Sequence, residues 1–133
     1  MSEDLKNTIP EDRIKMYCIF ALESVKKMNG IRGKLGTQAG HAYLHSFWDA
    51  MDRHPALAQA YRDTSHAYKI TLCVETVDEL RVLEAAYRDV CGVSLVTDAG
   101  FTVFTEPTST CLGIGPLPDS LKGADLAAIK TLT

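Results

Sequence analysis

The sequence predicts a single α/β domain in which helices pack over a twisted sheet. Three observations lead to this prediction. The 133 residues match the usual length of one domain. Hydrophobic residues make up 46% of the chain and charged residues 23%, which is typical of a globular protein and excludes a disordered chain or a coiled-coil rod. Strand-like and helix-like segments alternate in the order β-α-α-β-α-β-turn-β, for which right-handed crossovers are expected.

The strand predictions rest on apolar runs rich in β-branched and aromatic residues. The first run, IKMYCIFAL, is apolar without interruption, as in a strand that is buried on both faces. A short extended piece is expected at 101–105, and the tail at 119–132 is expected to carry either a short helix or an edge segment. The last full strand should end at Pro116. Four segments are predicted as strands: 14–22, 67–75, 93–97 and 110–115.

The helix predictions rest on apolar residues at helical spacing and on capping signals. Thr76 and Glu79 form a capping box at the start of one helix, and Gly92 ends it. In the longest helix, small residues should allow close packing, and Trp48 is interpreted as a core anchor rather than a base-stacking surface. The residues at 23–33 are predicted as a loop. The predicted helices cover 34–53, 54–64 and the stretch between Thr76 and Gly92.

The charge balance excludes a strongly basic, non-specific nucleic-acid binder. The chain has 14 Lys and Arg against 17 Asp and Glu, a net charge of −3. Affinity for nucleic acid comes largely from the neutralisation of phosphates by cations. Any contact with nucleic acid must therefore rest on a local basic patch, and the residues before and at the start of the longest helix supply one: Lys26, Lys27, Arg32 and Lys34.

The hydropathy and cysteine patterns predict a protein of the reducing cytoplasm. No run of about 18 apolar residues is present, so we expect no membrane-spanning helix and no membrane partner. Residues 1–12 are polar and acidic, unlike a signal peptide, and are expected to form a flexible lead-in to a domain at 13–133. The cysteines lack zinc-ligand spacing, so no metal site is predicted and buried free thiols are expected at Cys18, Cys73, Cys91 and Cys111.

A polar set on the longest predicted helix is the first candidate site. Lys34, Gln38, His41 and His45 follow one another at intervals of three or four residues, which places them on one face. A solvated amphipathic face is the alternative. Such a face usually carries Glu and Lys pairs, whereas this one carries Gln and two His. Lys34 also stands at the helix N-terminus, where the helix dipole favours anions.

The second candidate site is the turn that begins at Asp98. A carboxylate follows the apolar strand VSLVT, and ligands of α/β sheets gather at the carboxyl ends of strands. The alternative is an Asp-x-Gly turn in which the aspartate caps only its own backbone. The sequence leaves both interpretations open.

Three segments together resemble the archaeal and eukaryotic type of peptidyl-tRNA hydrolase, type 2. Residues 33–42, GKLGTQAGHA, resemble its G-K-hydrophobic-small-small-Q-x-x-H-A helix. Residues 98–102 resemble its D-A-G-x-T turn, and 110–116, TCLGIGP, resemble its T-x-L-x-I-G-P strand. The similarity covers nearly the whole chain, from residue 13 to 132. It implies a four-stranded mixed sheet with helices packed on both faces.

The resemblance also implies a reaction and the residues that perform it. The family hydrolyses the ester that joins a nascent peptide to the 3′ ribose of tRNA, and it needs no metal or organic cofactor. Asp98 would accept a proton from the attacking water, directly or through Thr102, and Lys34 would stabilise the oxyanion or hold a phosphate. The implied catalytic residues are Lys34, His41, Asp98 and Thr102. The residues implied to contact peptidyl-tRNA are Arg32, Gln38, Lys69 and Phe101.

Two departures from the family pattern leave alternatives open. Phe101 stands where the family usually has an Arg, and Val103 where it has a Gln, so one charge-assisted contact with RNA is lost. The second hypothesis is therefore a catalytically silent binding module on the same scaffold, with an apolar cleft near Phe101. A hydrolase of another acyl ester or amide is the third. The sequence shows no obvious exposed apolar face, and it leaves open whether the chain forms a homodimer.

Overall fold

The computed structural model describes residues 13–100 and 104–133, which form an α/β fold around one mixed sheet. The strands in chain order are β1 (Ile14–Ala21), β2 (Lys69–Val74), β3 (Val93–Asp98), β4 (Thr108–Pro118) and β5 (Lys130–Thr131). They lie in the order β3-β4-β1-β2-β5. β1 and β2 are parallel, and the other neighbours are antiparallel.

The prediction of a four-stranded sheet is wrong by one strand. The tail forms both of the elements that were expected as alternatives, a short helix and an edge strand. The edge of β2 would otherwise expose unpaired backbone groups, and β5 covers part of it. The backbone N–H of Leu132 then donates to the carbonyl oxygen of Thr71 at 3.1 Å and continues this contact.

Helices cover both faces of the sheet. Along β1, Tyr17 and Ile19 join the apolar cluster that contains Leu80 of one helix, whereas Cys18 and Phe20 join the cluster on the other face. This alternation follows from the two-residue period of a strand. The helices are α1 (Leu22–Lys27), α2 (Arg32–Arg53), α3 (Pro55–Arg62), α4 (Val77–Tyr87) and α5 (Ala124–Ala127). Among the described residues, no helix has the length and apolarity needed to span a membrane.

Close packing between α2 and the sheet depends on small residues on both sides. The buried face of α2 carries Ala42, Ser46 and Ala50. A Cβ atom added at Gly113 of β4 would lie 2.2 Å from the carbonyl oxygen of Ala42, and one added at Gly92 would lie 2.2 Å from that of Ser46. Real Cβ atoms do not approach so closely, so glycine is required at both positions. The expected close approach is confirmed, and it holds the polar face of α2 near the sheet edge.

The predicted loop at 23–33 is partly wrong, because its first half forms α1. Ser24 is buried, and its hydroxyl donates to the carbonyl oxygen of Ser109 at 2.6 Å. Met28, just after the helix, is fully buried in the α2-side cluster. The chain turns only at Asn29 and Gly30, which have positive φ angles of 51° and 77°. Charge in the segment therefore marked an exposed helix face and not a loop.

The other boundaries follow the predictions with one exception. Thr76 caps α4 as expected, since its hydroxyl oxygen accepts a hydrogen bond from the Glu79 N–H at 3.3 Å. β4 does not end at Pro116 but runs to Pro118. Its pairing with β1 shifts register between Lys15 and Tyr17, opposite Pro116, so the missing N–H of this proline falls where the ladder is irregular. The predicted lead-in at 1–12 and residues 101–103 of the predicted extended piece lie outside the described residues.

Candidate active site

Lys34 and Asp98 form an ion pair at one end of the sheet. α2 begins at Arg32, beside the carboxyl end of β3, where Asp98 is the last residue. The Nζ atom of Lys34 donates to Oδ2 of Asp98, across 64 residues of sequence. The two side chains are only 15% and 9% exposed. The two segments singled out in the sequence therefore meet in one site.

Asp98 serves the turn and the ion pair at the same time. Its Oδ1 atom accepts the Gly100 N–H at 2.8 Å, which is the self-capping turn that was one alternative. Its other oxygen binds Lys34. The hydrogen bond from Lys34 is the largest cause that holds the pKa of the Asp98 carboxyl below its usual value; the Gly100 N–H and the charge of His41 act in the same direction, and burial opposes them. Asp98 is therefore ionised at neutral pH.

Gln38 lies under the polar face of α2 and not on it. Its side chain is buried, and its Oε1 atom accepts a hydrogen bond from the Thr110 hydroxyl at 2.6 Å. Thr110 belongs to β4 and is fully buried as well. The pair ties the first half of α2 to the sheet. Sequence reasoning did not single out Thr110 as a site residue; its position at the head of the T-x-L-x-I-G-P segment was the available signal.

The two histidines of the polar set lie in a row of exposed rings. The ring centroids of His41 and His45 are 5.5 Å apart, and those of His45 and Trp48 are 5.4 Å apart, with the second pair stacked. Trp48 is 52% exposed, so its interpretation as a core anchor is wrong. Leu44 and Met51 are also exposed, which corrects the expectation of no exposed apolar face. The smallest residues of α2 occupy its buried stripe, so the large ones were displaced outward.

Lys69 lies at the opposite end of the sheet from the ion pair. It starts β2 beside Met16 of β1, and its Nζ atom is 5.9 Å from the ring centroids of both Tyr43 and Tyr61. It borders an apolar groove of about 590 Å³. Arg32 is exposed at the start of α2, two residues from Lys34. Thr102 and Phe101, the remaining predicted site residues, lie outside the described residues.

The arrangement supplies groups for acyl-ester chemistry. An ionised carboxylate can accept a proton from water, and an ammonium beside it can stabilise an oxyanion. Within 13–100 and 104–133, no cluster of three or more His, Cys, Asp or Glu side chains is placed to hold a metal ion. All four cysteines are free thiols, and three of them are buried: Cys18, Cys91 and Cys111.

Comparison with known proteins gives the same family throughout. The model of the family described as Peptidyl-tRNA hydrolase PTH2 matches residues 16–123. A peptidyl-tRNA hydrolase of Methanopyrus kandleri is 37% identical over 86 residues, which cover 64% of this chain and 72% of that protein. One of Methanothermobacter thermautotrophicus is 36% identical over 90 residues, covering 66% and 76%.

A eukaryotic relative extends the comparison. A probable peptidyl-tRNA hydrolase 2 of Schizosaccharomyces pombe is 34% identical over 101 residues, which cover 74% of this chain and 48% of that protein. The family match contains Lys34, Asp98 and the buried Gln38–Thr110 pair within its span. With most of its length inside this match, the chain belongs to the peptidyl-tRNA hydrolase PTH2 family.

Proposed function

We propose that this chain hydrolyses the ester between peptide and tRNA in peptidyl-tRNA, and that Lys34 and Asp98 are its reacting pair. The ion pair between them is the observation that carries the proposal. It places a proton acceptor and a cation side by side at the carboxyl end of β3, where α/β folds bind ligands. Membership in the PTH2 family supplies the substrate class.

The two side chains have complementary roles in the proposed reaction. Water attacks the ester carbonyl carbon, and Asp98 accepts one of its protons while the new C–O bond forms. The Lys34 ammonium stabilises the negative charge that develops on the carbonyl oxygen. When the tetrahedral intermediate collapses, the bond to the ribose 3′ oxygen breaks. Asp98 then returns the proton to that oxygen, which gives the free tRNA hydroxyl and the peptide carboxylate.

The lowered pKa of Asp98 favours the second half of this cycle. A carboxyl whose pKa is low is a weak base and a strong acid, so it releases its proton readily to a leaving alkoxide. The weak basicity must be offset by correct placement of the water. Thr102, four residues beyond Asp98, is the proposed water-orienting group. His41 is the proposed second acid–base group, since its charge already acts on Asp98.

The substrate contacts proposed for RNA lie near the start of α2. Lys26 and Lys27 are exposed in the last turn of α1, and Arg32 is exposed at the first position of α2. Cations at these positions would bind phosphates next to the ester. The binding-module alternative has no comparable support, because the relatives named above are hydrolases and the ion pair is assembled.

The test is hydrolysis of a purified N-acyl-aminoacyl-tRNA by the wild type and by Asp98→Asn. Asparagine keeps the acceptor for the Gly100 N–H but removes the proton-accepting charge. We expect kcat/KM to fall by about 10²- to 10⁴-fold. Asp78→Asn is the matched control, because the Asp78 side chain is 91% exposed and lies on α4. Turnover by Asp98→Asn equal to that of the control would remove Asp98 from the mechanism.

A further inference from the structure

Three aromatic rings form an exposed row on α2 that the proposed reaction does not use. His41, His45 and Trp48 lie on successive turns, with centroids 5.5 and 5.4 Å apart. All three are exposed, and the indole is the largest. A tryptophan with half of its surface in water loses the burial that usually keeps this residue inside a protein. Its flat surface is available to a ligand.

The row begins beside the proposed reacting pair. Lys34 lies two turns before His41 on the same helix, about 10 Å along its axis, and Trp48 lies the same distance beyond. The charge of His41 acts on the Asp98 carboxylate, so the first ring is electrostatically coupled to the reaction centre. A substrate held at Asp98 and following α2 would meet the three rings in turn.

The chemistry of the row fits unpaired nucleotides. The chain carries a net charge of −3, so phosphate contacts supply little general attraction for RNA. Aromatic side chains bind single-stranded bases through stacking, which requires no excess of cations. The ester of peptidyl-tRNA is carried by the terminal ribose of such an unpaired strand.

We propose that His41, His45 and Trp48 form a stacking surface for the unpaired 3′ nucleotides of the tRNA. This inference rests on the proposed function, because it takes the ester to lie at Lys34 and Asp98. The bases stack on the outer surface of the row, and this contact directs the terminal ribose toward the ion pair. Trp48 is the main binding residue, and His45 supports its ring.

The first test uses the fluorescence of Trp48. The chain contains one tryptophan, so its emission reports on this surface alone. The probes are the trinucleotide CCA, deacylated tRNA, and the same tRNA without its three 3′ nucleotides. We expect CCA and intact tRNA to quench the emission and the truncated tRNA to leave it unchanged. Equal effects of intact and truncated tRNA, or no quenching by either, would overturn the proposal.

The second test uses kinetics with ring-removing variants. Trp48→Leu keeps an apolar side chain but removes the ring, and it should raise KM for N-acyl-aminoacyl-tRNA by roughly ten- to a hundredfold, with a smaller change in kcat. Trp48→Phe should restore part of the affinity. Tyr68→Leu is the matched control, since Tyr68 is 40% exposed and its ring lies 5.3 Å from that of His66, away from α2.

The outcomes separate this inference from the proposed function. If Asp98→Asn stays active while CCA still quenches Trp48, the catalytic assignment fails and the stacking surface stands. If Asp98→Asn is inactive while Trp48→Leu has the KM of the Tyr68→Leu control, the stacking surface is refuted alone. A change from dimer to monomer in Trp48→Leu, with KM unchanged, would assign the exposed row to self-association instead.

Discussion

The two ends of α2 each carry an aspartate paired with a cation, yet the two pairs have different surroundings. Near the helix C-terminus, Asp49 accepts two hydrogen bonds from Arg53 and a third from the Val93 N–H at 2.9 Å. Arg53 also donates to the carbonyl oxygens of Arg88 and Cys91. At the N-terminal end, Lys34 and Asp98 join α2 to the last residue of β3 and its turn.

The comparison shows that the same pairing of charges can stabilise backbone or be available for chemistry. Asp49 and Arg53 bind backbone groups of the segment that follows α4, so they fasten the start of β3 to α2. Asp98 stands where β3 ends, and its side chain is more buried than that of Asp49, at 9% against 27%. Hydrogen bonds from the paired cations lower the pKa of both carboxyls. Position in the fold therefore distinguishes them, and not charge.

The largest expected effect is loss of activity at the N-terminal pair. Lys34→Met should lower kcat by about 10²- to 10³-fold, because it removes the cation that stabilises the oxyanion. The double variant Lys34→Met/Asp98→Asn should be no slower than the worse single variant, since residues that act as one unit are not additive. Single-turnover hydrolysis measures both. Additive losses would indicate two independent roles and weaken the comparison.

The C-terminal pair should affect stability and not rate. Asp49→Ala leaves the Val93 N–H and the Arg53 guanidinium without their acceptor, which should lower the free energy of unfolding by about 2 kcal/mol. Urea denaturation measures this change. Arg81→Met, which breaks the exposed pair with Asp78, is the control and should change it by less than about 0.5 kcal/mol. A folded Asp49→Ala protein with greatly reduced kcat would contradict the division between the two ends.

The buried hydrogen bond between the two ends should have an intermediate effect. Thr110→Val leaves Oε1 of Gln38 without its donor, at an expected loss of about 1–2 kcal/mol in unfolding free energy. Adding Gln38→Leu should recover part of this loss, because no buried polar atom is then left unpaired. Thermal and urea unfolding of the single and double variants test the prediction. A double variant less stable than Thr110→Val would show that Gln38 has further essential partners.

The smallest effect concerns pH. Both carboxyls have a pKa in the folded state below the unfolded value of about 3.9, so their contribution to stability is complete above that pH. It is lost as the pH falls through the lower folded values. Unfolding free energy measured between pH 2 and 6 should decline on the acid side, and less steeply in Asp49→Asn and Asp98→Asn. An equal slope in the wild type and both variants would assign the acid decline to other groups.

The local rules of the chain were sufficient for much of the fold. The uninterrupted apolar run of β1 and the Thr76 cap of α4 depend on neighbours within a few residues, so the sequence alone predicted them. The pairing of β5 with β2 could not be predicted in this way, since a two-residue strand has no periodicity to detect. Trp48 was misplaced for a related reason. Size suggested burial, but the close contact of α2 with Gly92 and Gly113 admits only small side chains.

By itself the sequence determined the fold class, the family resemblance and the two segments that carry the candidate site. Helical spacing and the Asp98 turn are properties of short stretches, which local physics decides. Only the tertiary structure decided that Lys34 meets Asp98, that Gln38 turns inward to Thr110 and that Lys69 lies at the other end of the sheet. These contacts join residues far apart in the chain. Packing against the sheet fixes how α2 is rotated, and that rotation selects which of its residues face the core, the ion pair and the solvent.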